Sequence, residues 1–223
     1  MKLAIFDFDG TLFPMDTLPY LMRQWSRLHY PKIPFLRTWC SVAALYVRYK
    51  TGRSGKLTRE QIRNMAMDRF NRIFNGMSQQ QIHAFFSVCA ERIIPQLNEP
   101  VVKELQERKA EGCHIVLLSG CYATLLSMIG SRYGVDHVIG TEMHFKEEII
   151  DLTKPLVVIT GQQKMQQIRQ HYSDGRVDWE SSYAYADSSS DLPVLEAVGY
   201  PVAVNPEAKL RAIAEEKNWK IIQ

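Results

Sequence analysis

The 223-residue sequence has little that would staple it together or anchor it in a bilayer. Its four cysteines (Cys40, Cys89, Cys113 and Cys121) form no CxxC pair and show no metal-ligand spacing. They read as reduced thiols of a cytoplasmic protein rather than as a disulfide framework. Cys121 follows a polar motif described below and reads as a small buried residue. The six histidines form no ligand cluster. The most apolar later stretch, residues 33–49, contains Arg37 and Arg48 and is too short and too interrupted to span a membrane. It has the composition of an amphipathic surface helix, but burial against a neighbouring helix is the preferred reading, so no stable membrane insertion is expected. The run after Met1-Lys2 meets Asp7 too soon for the apolar core of a signal peptide. No GxGxxG follows the first apolar run, and no GxxxxGK[ST] occurs anywhere. The first absence argues against a dinucleotide oxidoreductase and the second excludes a P-loop enzyme. The formal net charge is only +3, with Lys and Arg read as spread rather than massed, so no nucleic-acid partner is expected. Internal repeats and low-complexity tracts are also missing.

What is present is ordinary for a globular chain: 46% hydrophobic and 23% charged residues, in a length that suits one domain plus an insertion. The first eleven residues hold an apolar run, Leu3-Ala4-Ile5-Phe6, that ends in Asp7-Phe8-Asp9-Gly10-Thr11. This reads as a strand buried on both faces, hence one of a parallel sheet covered by helices. From residue 14 to 94 the β pattern stops. Helices are expected from Asp16-Thr17 through Trp25 and Leu28, over 35–49 after the breaks at Pro31 and Pro34, from Thr58 to Gly76, and from Ser78 to Ile93. Ser78 with Gln81 fits a capping box. Residues 50–56 read as a loop. Beyond Pro95, helices and short strands alternate: helix 99–111, strand 115–118, helix 123–133, strand 135–139, a small hairpin within 142–151, helix 162–172, strand 183–186, helix 192–198, strand 201–204, helix 207–218 and an edge strand at 220–222. The pattern specifies an α/β fold with a doubly wound parallel sheet and right-handed crossovers. Residues 1–13 and 95–223 supply its core, and 14–94 an inserted all-helical unit.

In such sheets ligands bind beyond the carboxyl ends of the strands. Asp7 and Asp9 stand at one such end, two residues apart and therefore leaning to the same side. Two carboxylates stay ionised together only near a cation, so the strand end suggests a metal site with a spare carboxylate; the competing reading is an acidic turn. Ser119-Gly120 follows the second strand, Lys164 lies near the start of a helix, and Asp187 and Asp191 bracket the end of the fourth strand. Taken singly, these residues are as well explained by a helix cap, a solvated lysine and another cap. Taken together, all would face one rim of the sheet.

The combination resembles the haloacid dehalogenase-like (HAD) phosphatase superfamily. Asp7-Phe8-Asp9-Gly10-Thr11 resembles its first motif, Leu118-Ser119-Gly120 its second, Lys164 its third and Asp187-Ser188-Ser189-Ser190-Asp191 its fourth. The helical insertion is similar to the class-one cap of the phosphoserine-phosphatase-like branch, and the resemblance covers essentially the whole chain, with a Rossmann-like core. It implies a phosphatase hydrolysing a small phosphate monoester through an aspartyl-phosphate. Asp7 would be the nucleophile, and Asp9 the general acid and then base. Mg2+ would be held by the Asp7 carboxylate, the Asp9 main-chain carbonyl and Asp187. Asp191 would orient those groups, Ser119 and Gly120 would grip phosphate oxygens, and Lys164 would neutralise the transferring group.

Gly55-Lys56-Leu57-Thr58 and the acid at Asp16 also resemble phosphoserine phosphatases, with Asp16 standing where those enzymes carry Glu and an N-cap as its competing role. The chain departs from them elsewhere. The cap arginine of those enzymes falls near Ala66, with Arg63 and Arg69 out of register and read as surface charges; Ala186 and Ser190 replace a Gly and an Asn. These departures weigh against phosphoserine as substrate. A phosphotransferase or mutase, and a catalytically silent phosphate-ester-binding protein, are the alternatives. A response-regulator receiver domain would have about half this length and no helical insertion.

Overall fold

The computed structural model describes residues 1–52, 57–172 and 175–223; Gly55-Lys56 and much of the expected loop at 50–56 lie outside them. The chain runs β1 (Leu3–Phe6), α1 (Thr17–Arg27), α2 (Lys32–Lys50), α3 (Arg59–Asn71), α4 (Gln79–Ile93), α5 (Glu99–Ala110), β2 (His114–Tyr122), α6 (Ala123–Arg132) and β3 (His137–Thr141). A hairpin of β4 (Phe145–Lys146) and β5 (Ile149–Ile150) follows, then α7 (Gln162–His171), β6 (Tyr183–Ala186), α8 (Leu192–Leu195), β7 (Tyr200–Val204), α9 (Ala208–Glu216) and β8 (Lys220–Ile222).

Six strands form one parallel sheet in the order β3-β2-β1-β6-β7-β8. The chain winds outward from β1 on one side and then resumes at β6 on the other, so the topological switch lies between β1 and β6. Alternation of side chains sorts β1 between two cores: Leu3 and Ile5 pack with α7, α8 and α9, whereas Ala4, Phe6 and Phe8 pack with α5, α6 and the inserted helices. Phe6 pairs with Leu117 on one side and Tyr185 on the other. The ends of β1, β2 and β6 are thereby brought level.

The inserted helices pack against the end of the sheet through aromatic side chains. Trp25, Phe70, Phe74, Phe85 and Phe86 form one aromatic cluster with Tyr122 at the end of β2. The β4–β5 hairpin ties down the start of α4: Gln79 N–H donates to Glu148 O (2.7 Å), and Ile150 N–H to Met77 O (3.0 Å). The expected capping box at Ser78 forms, and so does a second at Thr58. Thr58 Oγ1 accepts from Gln61 N–H and Ser78 Oγ from Gln81 N–H, each at 3.2 Å, and each glutamine side chain returns a bond to the cap N–H.

Three expectations are corrected. Pro34 does not break α2 but sits in its first turn, where a missing N–H leaves nothing unbonded. The second strand runs past Leu118 to Tyr122, because Ser119 to Tyr122 are all buried and rejoin β3 after an irregularity. The helix expected at 192–198 is a single turn, Leu192–Leu195, and the chain then passes to Gly199, whose N–H donates to Trp179 O (2.8 Å). A fourth expectation holds only in part: the apolar stretch 33–49 buries Thr38, Val42 and Leu45, while its opposite face stays exposed.

Candidate active site

The carboxyl end of β1 carries the chemistry. Asp7 N–H donates to Tyr185 O (2.9 Å), which keeps the residue in the ladder with β6. Its Oδ1 accepts from Phe8 N–H (2.8 Å) and lies 2.9 Å from Lys164 Nζ. Gly10 then turns the chain with φ +76°, and a Cβ there would run into the Asp187 carboxylate. Glycine is needed at this point both for the left-handed backbone and for the space.

Asp187 follows β6 across the switch point, and Asp191 ends the short turn after it. Lys164 lies in the first turn of α7, 3% exposed, with Nζ 2.7 Å from Asp191 Oδ1. Burial alone would depress its pKa, but the Asp191 and Asp7 carboxylates outweigh that and hold it above the ordinary lysine value. Carboxylate oxygens of Asp7, Asp187 and Asp191 all lie within 4.8 Å of one another. Three acids against one ammonium leave excess negative charge. Burial, with the repulsion of Asp7 and Asp191, pushes Asp187 up to about 7; burial also raises Asp191, against the pull of Lys164. A cluster of hard oxygen donors short of counter-charge fits a divalent cation of the Mg2+ type.

The Asp9 carboxylate is not part of that cluster. It accepts a bond from Thr17 N–H (3.0 Å) and a short one from Thr17 Oγ1, so the N-terminus of α1 points at it. Burial nevertheless pushes Asp9 up to about 6, opposed by the Thr17 bond and Arg63. The two acids two residues apart thus have separate partners, an ammonium for Asp7 and a hydroxyl with a helix end for Asp9. Ser119 is buried, its Oγ accepting from Cys121 N–H (3.2 Å). Gly120 has no room for a side chain, since a Cβ would lie 2.9 Å from Ile159 O. Cys121 is buried beside Asp9 and Thr17, and burial holds its thiol protonated.

Asp16 occupies the N-cap position of α1, but its side chain makes no capping bond, and its charge acts on both Asp9 and Arg63. Arg63 overturns the expectation of a surface charge. It is half-buried, its Nη2 sits 3.1 Å from where a Cβ would stand on Gly120, and the carboxylates of Asp9, Asp7, Asp191 and Asp16 raise its pKa against the cost of burial. The signal was in the sequence: Arg63 falls inside the buried arc of α3 formed by Ile62, Ala66, Met67 and Phe70. Arg69 instead donates a short bond to Ser41 O and joins α3 to α2. Roomier clefts occur away from these residues, one of about 550 Å³ between Glu104, Tyr183 and Trp219. It gathers no acid cluster, so charge rather than cavity size marks the site.

A family model for haloacid dehalogenase-like hydrolases matches residues 4–196. The chain belongs to that family. Among curated relatives of this HAD-like hydrolase, the phosphoserine phosphatase SerB1 of Mycobacterium tuberculosis is 26% identical over 98% of the chain and 69% of its own length. A histidinol-phosphatase of Neisseria meningitidis is 26% identical over 60% of the chain and 62% of its own. A Streptomyces azureus protein named for inhibition of morphological differentiation is 29% identical over 66% of the chain, which spans about half (53%) of that relative. A structure of unknown function from Bordetella pertussis superposes with TM-score 0.79 at 24% identity, covering 100% of this chain and 98% of that one. A substrate-bound phosphoserine phosphatase superposes with TM-score 0.65 at 17% identity, covering 99% and 92%. The last two similarities show the fold. Among the described residues no helix is long and apolar enough to cross a membrane.

Proposed function

We propose that this HAD-like hydrolase is a Mg2+-dependent phosphatase that cleaves a small phosphate monoester through an aspartyl-phosphate. The observation that carries the reading is the buried Lys164 ammonium between Asp7 (2.9 Å) and Asp191 (2.7 Å), with Asp187 completing the acid cluster. Asp7 attacks phosphorus in line, its oxygen forming the new P–O bond as the bond to the leaving alcohol breaks. Asp9, pushed up to about 6, carries the proton that the leaving oxygen takes, and then accepts one from the water that hydrolyses the acyl phosphate. Lys164 and the N–H of Gly120 offset the negative charge of the transferring group, and Ser119 bonds its oxygens. Asp7, Asp187 and the main-chain carbonyl of Asp9 would hold Mg2+, with Asp191 steadying Lys164. The cation would supply the remaining neutralisation of the phosphoryl charge.

Residues 14–94 act as the cap in this reading. They set the leaving group by placing Asp16 and Arg63, one charge of each sign, at the rim of the site. The phosphatase names of relatives that share the family support a small soluble ester as substrate.

The test is phosphate release from an aryl phosphate and from a panel of natural monoesters, with Mg2+ and with EDTA. Turnover is expected only with Mg2+, and Asp7→Asn is expected to lose at least about 10³-fold in kcat. Full activity in Asp7→Asn overturns the covalent route, and no turnover by the wild type on any ester overturns the phosphatase.

A further inference from the structure

The chain's positive charge is not evenly spread. Residues 17–58 contain eight Lys and Arg and no Asp or Glu, so the rest of the chain is net negative. α2 lies inside this stretch and carries Lys32, Arg37, Arg48 and Lys50. Its inner arc, Thr38, Val42 and Leu45, is buried. On the opposite arc Ile33, Leu36, Trp39 and Val47 are 69%, 61%, 52% and 60% exposed, and Cys40 is exposed among them. At 100° per residue, Leu36, Cys40, Ala43 and Val47 make one outward stripe. Arg37 and Arg48 fall along one of its margins, and Lys32 and Lys50 near the other.

We propose that this face of α2 docks the protein on an anionic lipid surface, lying in the plane of the headgroups without crossing the bilayer. Two features select that occupant. Aliphatic side chains at its centre find hydrocarbon in a membrane and would gain nothing on the phosphates of a nucleic acid. The cations along both margins match anionic headgroups, and α2 itself carries no acid. A second copy would not satisfy them, because a two-fold contact between two such helices sets cation against cation.

Co-sedimentation of the full chain with vesicles tests this, comparing phosphatidylcholine alone with phosphatidylcholine containing phosphatidylglycerol. Binding is expected only to the anionic vesicles, with loss at high salt. Trp39→Phe is expected to remove a blue shift of tryptophan emission on binding. The double variant Leu36→Glu, Val47→Glu is expected to weaken partitioning at least about tenfold while melting like the wild type, since both side chains are already in water. Failure of the wild type to bind anionic vesicles overturns the proposal. So does binding that the double variant retains, or a wild-type dimer that the double variant splits. The fluorescence shift of the wild type is read without any variant, so a misfolded variant does not leave the question open.

Discussion

Asp9 shows how one residue's role follows from its neighbours. Half-buried, with desolvation pushing its pKa up to about 6, yet bonded to Thr17 at the head of α1, it is suited to hold a proton near neutral pH and to release it to a leaving oxygen. Asp7 instead lies 2.9 Å from the Lys164 ammonium, the position of the proposed nucleophile. The role assigned to Asp9 has a distinct kinetic signature. Asp9→Asn is expected to lower kcat by about 10²–10⁴-fold on an alkyl phosphate and by much less on p-nitrophenyl phosphate, whose leaving group needs no proton. Equal losses on the two esters would show that Asp9 shapes the site without moving a proton. Asp9 and Asp7 were legible in the sequence as a pair at a strand end. Their separate partners were not, because Thr17 comes from a helix eight residues on and Lys164 from one far along the chain.

Among the elements, the ones with local signals were the ones legible in advance. Ser78 with Gln81 announced the start of α4, and the box forms with both bonds. Ser78→Ala is accordingly expected to lower unfolding stability by about 1 kcal/mol, read from a denaturation midpoint, with kcat on an aryl phosphate unchanged. A fall in kcat would mean that the α4 start, bonded to the β4–β5 hairpin through Gln79 and Glu148, controls the site. Elements shaped by distant contacts were harder to read. β2 continues through Ser119-Gly120 because Ile159 and β3 close over it, and nothing within the segment itself signals that. Arg63 was misread as a surface charge because its register in α3 was matched to the cap arginine of other enzymes rather than to the buried arc of its own helix. The exposed face of α2 is hidden in the sequence for the complementary reason: an apolar run does not reveal which of its faces finds a neighbour.

For the whole molecule, the acid cluster couples folding to protons and to metal. Asp9 and Asp187 stand at about 6 and about 7 in the folded chain against 3.8 ordinarily. Between those limits the folded state binds more protons than the unfolded one, so stability falls as pH rises through that window and levels off above about 7. The metal-free protein is therefore expected to melt at a higher temperature at pH 5 than at pH 8. A divalent cation held by the Asp7, Asp187 and Asp191 cluster would compete with those protons, so Mg2+ is expected to raise Tm more at pH 8 than at pH 5. At a hundredfold excess over Kd the gain is about 2.7 kcal/mol, on the order of 5–10 °C for a chain of this size. Asp187→Asn tests the metal site by a readout other than activity, because it removes a half-buried carboxylate charge that destabilises the metal-free fold. It is expected to melt higher than the wild type at pH 8 without metal, and to lose most of the shift that Mg2+ gives. Scanning calorimetry at the two pH values, with Mg2+ and with EDTA, decides the matter. A Mg2+ shift that is the same at both pH values, or that survives in Asp187→Asn, would remove the acid cluster as the metal site and leave Lys164 and Arg63 as counter-charges of Asp7 and Asp191.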